Sequence, residues 1–131
     1  MTKIINASFK GYYFYDFNFP ASCGIYCIYS TKLNSNGEYS VDRLVYIGKS
    51  SNLSTRIYNH SCTDYLAEEM FAYSYCILTD YQAMLAEAAL VNTCQPRGNS
   101  NFISCYPDNY ESVQVNVYGD HIFIPDTINK G

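Results

Sequence analysis

The chain contains no tryptophan, no CxxC pair and no apolar run approaching the roughly 20 residues of a membrane-spanning helix. Without paired ligand spacing, a zinc site built on His60 and Cys62 is disfavoured. The N-terminal residues MTKIINASFKGYY lack the apolar core of a secretory signal. The six cysteines, at 23, 27, 62, 76, 94 and 105, are therefore expected as free thiols in a reducing cytoplasm. Cys23 and Cys27 would share a strand face yet sit too far apart to join. A basic excess is missing too: the formal charge is -4, which excludes a grip on nucleic acid spread over the whole surface. Acids are missing locally instead, because Arg43 to Thr63 contains no Asp or Glu while carrying Arg43, Lys49 and Arg56. The tripeptide Gly48-Lys49-Ser50 is not a phosphate-binding P-loop, since the required glycine five residues earlier is Arg43.

What is present is half apolar, with 15 tyrosines and 7 phenylalanines in 131 residues. That suits one compact domain, residues 1–131, burying about two thirds of its unfolded surface. Residues 8–20 alternate so that Tyr13, Tyr15, Phe17 and Phe19 would line one side of a strand. Cys23 to Ser30 reads as a strand with Ile25, Cys27 and Tyr29 on one face and Tyr26 and Ile28 on the other. Asn36-Gly37 signals a hairpin turn, and Arg43 to Ile47 returns as its partner. Asn52 and its polar neighbours offer a cap for a helix whose Leu53, Arg56, Ile57 and His60 share one face. A short helix over Thr63–Met70 and a strand over Phe71–Leu78 follow. Thr79 with Gln82 forms a capping box for a helix to about Cys94, closed by Pro96 and Gly98. VQVNVY and HIFIP around Gly119-Asp120 predict a terminal hairpin, an addition that extends the sheet or makes a dimer contact through its edge.

Glu87 is the charged residue within the apolar run MLAEAALV. A carboxylate there costs several kcal/mol unless it is paired or holds a cation, so it has a partner. Arg56 and His60, one helical turn apart in an acid-free stretch, suit a phosphate. Tyr26 and Tyr46 each lie two residues from a glycine, and glycine in a strand marks a close approach or a bend.

Gly24-Ile25-Tyr26 and Tyr46-Ile47-Gly48, with Arg56, His60, Glu87 and Asn99 downstream, resemble the signature of the GIY-YIG nuclease family. The spacing is nearest that of its small restriction-type members, and the likeness covers roughly residues 22–99. It implies an α+β fold with a three-stranded antiparallel core sheet flanked by helices. To this the chain would add an N-terminal strand and, over 100–131, the C-terminal hairpin. It further implies a metal-dependent endonuclease that hydrolyses DNA phosphodiesters with one Mg²⁺ or Mn²⁺ on Glu87, leaving an RNA target open. Arg56 would bind the scissile phosphate, Tyr26 would act as general base, and Tyr46, Lys49, His60 and Asn99 would complete the catalytic set. Arg43, Lys49, Arg56 and Arg97 are the candidate nucleic-acid contacts. A tyrosine with pKa near 10 is about 0.1% ionised at pH 7, so Lys49, Tyr46 or His60 would have to lower the Tyr26 value. The alternative is a non-catalytic nucleic-acid- or protein-binding module, with no membrane partner in either case and self-association left open.

Overall fold

The computed structural model of the chain describes residues 2–63 and 70–131, and of residues 60–63 the backbone alone. Its strands are β1 (Lys3–Tyr13), β2 (Gly24–Leu33), β3 (Tyr39–Ser50), β4 (Phe71–Ile77), β5 (Val113–Gly119) and β6 (Thr127–Lys130). Its helices are α1 (Leu53–Thr63) and α2 (Asp80–Cys94). The strands form one sheet in the order β3-β2-β4-β1-β5-β6. The β1–β5 pair is parallel and the other pairs are antiparallel. Among the described residues no helix is long and apolar enough to cross a membrane.

This corrects the expected architecture: the three-stranded antiparallel core flanked by helices is instead half of a mixed six-stranded sheet with two helices among the described residues. The reason lies in α2. Ala83, Leu85, Ala86, Ala88, Ala89, Leu90 and Val91 are buried around its circumference, and a helix apolar all round must be enclosed rather than laid on a surface. Three strands cannot enclose it. Alternating Ile5, Ala7 and Phe9 of β1, Val113, Val115 and Val117 of β5, and Ile128 of β6 supply the missing wall, joining α2, Ile25, Cys27 and Tyr29 in one core cluster. The C-terminal strands expected as an addition thus extend the sheet and line this core.

The opposite face carries a second cluster of Phe19, Tyr26, Ile28, Leu53, Ile57, Tyr73 and Tyr75. The predicted division of β2 into an Ile25–Cys27–Tyr29 face and a Tyr26–Ile28 face is what separates the two clusters. Asn34 closes the β2–β3 hairpin, its Oδ1 accepting the amides of Asn36 and Glu38, while Gly37 takes φ +79°. Asn52 caps α1, its Oδ1 accepting the Thr55 amide, and the Thr79–Gln82 capping box opens α2. Residues 64–69, which hold most of the expected short helix, lie outside the described residues.

Two segments differ from expectation. The first strand begins at Lys3 and stops at Tyr13, and residues 14–19 turn, with the Phe17 amide bonded to the Phe14 carbonyl. The aromatic row becomes a folded cluster: Tyr13 and Phe17 stack with centroids 3.6 Å apart at 7°, and Phe19 turns into the core. HIFIP is not a strand either. The chain leaves β5 at Gly119, packed so close that a Cβ there would lie 2.1 Å from the Phe9 carbonyl oxygen. Residues 120–126 then lie over β1 and β2, where Tyr12 Oη accepts the Ile122 amide and Tyr29 Oη donates to its carbonyl.

Candidate functional site: the capped edge of β3

As the outermost strand, β3 would present unpaired amides and carbonyls to water. The segment after α2 covers them. The Gly98 amide donates to the Val45 carbonyl at 2.8 Å. Asn99 imitates a strand residue, its Oδ1 accepting the Ile47 amide at 3.0 Å and its Nδ2 donating to the Ile47 carbonyl at 2.8 Å. Glu87, reaching from α2, accepts the Lys49 amide on Oε2 at 2.9 Å. The partner demanded by a carboxylate on an apolar helix is therefore this backbone N–H. Burial pushes the Glu87 carboxyl above its ordinary value, and the Lys49 amide and charge oppose that without cancelling it.

Gly98 has to be small, because a Cβ would approach the Val45 oxygen to 2.7 Å. Together Tyr46, Glu87, Gly98, Asn99, Ser100 and Asn101 line a recess beside the strand. Gly98, Ser100 and Asn101 were missed in the sequence, where PRGNSN carries turn chemistry but no sign of what it packs against. The one signal was a glycine shortly after a helix-closing proline.

Across the strand from Glu87 sit the phenols. Tyr26 pairs with Gly48, and Ile28 with Tyr46, so the two tyrosines are diagonal neighbours with centroids 5.9 Å apart. Gly48 makes room for both, since a Cβ would come within 2.7 Å of the Tyr26 ring and hydroxyl and 2.8 Å of Tyr46 Cε2. Arg56, on the exposed side of α1, hydrogen-bonds with Tyr26 and Tyr46. Burial lowers the guanidinium's pKa, but the two phenols outweigh this and leave it raised. Tyr26 is 0% exposed, and burial, reinforced by Tyr46 and opposed by Arg56, drives its phenol well above the ordinary value. Tyr26 is thus protonated at neutral pH and shielded from water, while Tyr46 is the phenol that faces the recess.

The structure therefore brings together Tyr26, Tyr46, Arg56, Glu87 and Asn99, with Lys49 present through its backbone amide and an exposed side chain. Arg43 pairs with Ser30, about 16 Å along the strand from Gly48 by strand rise, and does not join them. Arg97 is exposed beside Gly98 at the recess margin. The His60 side chain lies outside the described residues.

Among the described residues no three His, Cys, Asp or Glu side chains gather as a metal group. A magnesium-type ion tolerates this, because it keeps several waters and takes one or two carboxylates plus phosphate oxygens. Glu87, which accepts the Lys49 amide on Oε2 and lines the recess, fits such a one-carboxylate site. No family model, no curated protein and no solved structure matches this chain.

Proposed function

We propose that the recess is the active site of a metal-dependent endonuclease that hydrolyses DNA phosphodiesters, in keeping with the resemblance of its residues to the GIY-YIG nucleases. The observation that carries this reading is convergence. Tyr46, Glu87 and Asn99, from three separate stretches of chain, line one recess, and Arg56 bonds to both phenols behind it.

Glu87 would hold one Mg²⁺ or Mn²⁺, which when bound offsets charge developing on the phosphate and the leaving oxygen. Arg56 would swing its fork from the phenols to the phosphate oxygens and strengthen that contact as charge grows. Tyr46 at the recess wall would take the proton of the attacking water when in its phenolate form, while Tyr26, protonated behind it, packs against its ring in place of acting as the base. Lys49, exposed at the rim, adds positive charge for the flanking phosphate. Asn99 holds the edge of β3 so that Tyr46 and the Lys49 amide keep their places.

The test is incubation of the full chain with plasmid and branched DNA and Mg²⁺ beside a Glu87→Gln variant, which keeps an oxygen for the Lys49 amide. Nicking by the wild type, reduced at least about 100-fold in the variant, supports the proposal. A chain that cuts no duplex, branched or single-stranded substrate favours the second reading, a nucleic-acid-binding module without catalysis. One observation speaks for that second reading: the full burial of Tyr26.

A further inference from the structure

The face of the sheet that holds Tyr26 is covered unevenly. Lys10 pairs with Tyr75 and Tyr75 with Tyr26, so Lys10, and with it Ser8 and Asn6 at alternate positions of β1, faces the same side. Asn6 pairs with Asn116 and Ser8 with Tyr118, which carries that side onto β5. Phe19, Leu53 and Ile57 cover the β2–β4 end. The β1 and β5 end is left as an open floor on which Asn6, Ser8, Lys10 and Tyr118 are exposed.

Apart from the exposed Ile4 at its end, the floor is polar rather than charged. Asn116 Nδ2 donates to Asn6 Oδ1 at 3.2 Å and Gln114 Nε2 to Asn116 Oδ1 at 3.0 Å, so its amides are already oriented. Lys10 is its cation, and neither its β1 nor its β5 positions hold an acid, on a chain with 12 Asp and Glu. Aromatic rings stand at both ends. Tyr118 is 53% exposed, and about 16 Å along β1 from its partner Ser8 the stacked Tyr13–Phe17 pair begins, with Phe17 37% exposed. Beyond that pair the aromatic cluster continues through Phe19 to the underside of α1, which carries Arg56.

We infer that this floor binds a single-stranded stretch of nucleic acid flanking the scissile phosphate, with bases stacking on Tyr118 and on the Tyr13–Phe17 pair and the sugar-phosphate backbone lying on the amides and Lys10. The inference rests on the proposed active site and names its substrate as a strand with an unpaired flank. Charge decides between single strand and duplex. A duplex grip draws its affinity from many phosphate contacts by Lys and Arg, and one lysine cannot supply them. Stacking on aromatic rings with modest charge is how unpaired bases are held.

The experiment is a titration of the isotope-labelled full chain, in EDTA, with a short oligothymidylate and with a duplex of the same length. The side-chain amide resonances of Asn6, Gln114 and Asn116 should move with the single strand, and the duplex should bind at least about tenfold more weakly. Tyr118→Ala should weaken single-strand binding about 5- to 100-fold, and Lys10→Glu should weaken it while leaving the thermal midpoint unchanged. Equal or tighter duplex binding overturns the inference. So do floor amides that stay still while recess resonances move. Because no metal is present in this titration, binding here with no cutting of branched or single-stranded DNA under Mg²⁺ removes the catalytic reading and leaves single-strand binding by the floor standing.

Discussion

Gly48 is the residue on which the site's geometry is most exposed to a test. Its absent side chain is the space that the Tyr26 hydroxyl and the Tyr46 ring occupy, and Tyr26 has no solvent to retreat into. Gly48→Ala is expected to displace both phenols, costing about 1–3 kcal/mol by overpacking and abolishing nicking, which urea unfolding and the plasmid assay would show together. Glu87 gives a test of the opposite sign. Its folded-state carboxyl is raised above the ordinary 4.5, so its contribution to stability is present below that value and is lost as pH rises through the folded value. Above its folded value the ionised side chain is a net burden in the metal-free protein. Glu87→Gln should therefore unfold at higher urea than wild type above the folded value, and the difference should shrink as pH falls through that value toward 4.5. If the variant is less stable above that value, the carboxylate is better compensated than its surroundings indicate. Proton transfer from water to a phenolate would make any cleavage rate climb with pH above about 7. A flat profile would remove the tyrosines from the proton transfer.

At the scale of elements, local signals were legible. The Asn36-Gly37 turn, the alternation of β2, the Asn52 cap and the Thr79–Gln82 box all act within four residues of chain, and each is in place. What local signals could not carry was the covering of the β3 edge, because Gly98 and Asn99 read as turn formers while their partners Val45 and Ile47 lie some fifty residues earlier. Asn99→Ala removes a donor and an acceptor from Ile47 at once. It should cost about 1–3 kcal/mol, with faster hydrogen exchange at Ile47, whereas Asn99→Asp keeps the acceptor and should restore part of the loss. The 120–126 connection carries a pH response. His121 reaches the Gly119 carbonyl through Nδ1 at 2.8 Å and Asp126 through Nε2 at 2.7 Å; both are acceptors, so the ring makes both bonds only as the imidazolium. Its pKa is raised above 6.5 chiefly by the Asp126 bond. The stabilisation is present below 6.5 and is lost as pH rises through the folded value. The connection should open more readily at pH 8.5 than at 5.5 by hydrogen exchange, and His121→Ala should flatten that response.

For the whole molecule, long-range strand pairing is what the amino-acid pattern does not carry. Lys3 to Phe9 alternates as cleanly as β2 does, but the denser aromatic run that follows drew the strand toward residues 8–20. The parallel union of β1 with β5 is invisible to any window of a few residues. The all-round apolarity of α2 was the available clue that three strands would not suffice. Val113, Val115 and Val117 are almost wholly buried, each worth about 1.5–3 kcal/mol, against a typical domain stability of about 5–15 kcal/mol. A chain ending at Ser112 should therefore lose its near-ultraviolet dichroism and bind hydrophobic dyes. A cooperative unfolding transition in that truncated chain would show that the terminal strands are dispensable.

The β1–β5 seam joins residues 110 positions apart in sequence. β1 is therefore made well ahead of β5 and keeps one flank bare until β5 has left the ribosome. In that interval it is a sticky ribbon with Ile5 and Phe9 uncovered, so the final closure should be slow and the nascent chain should lean on chaperones.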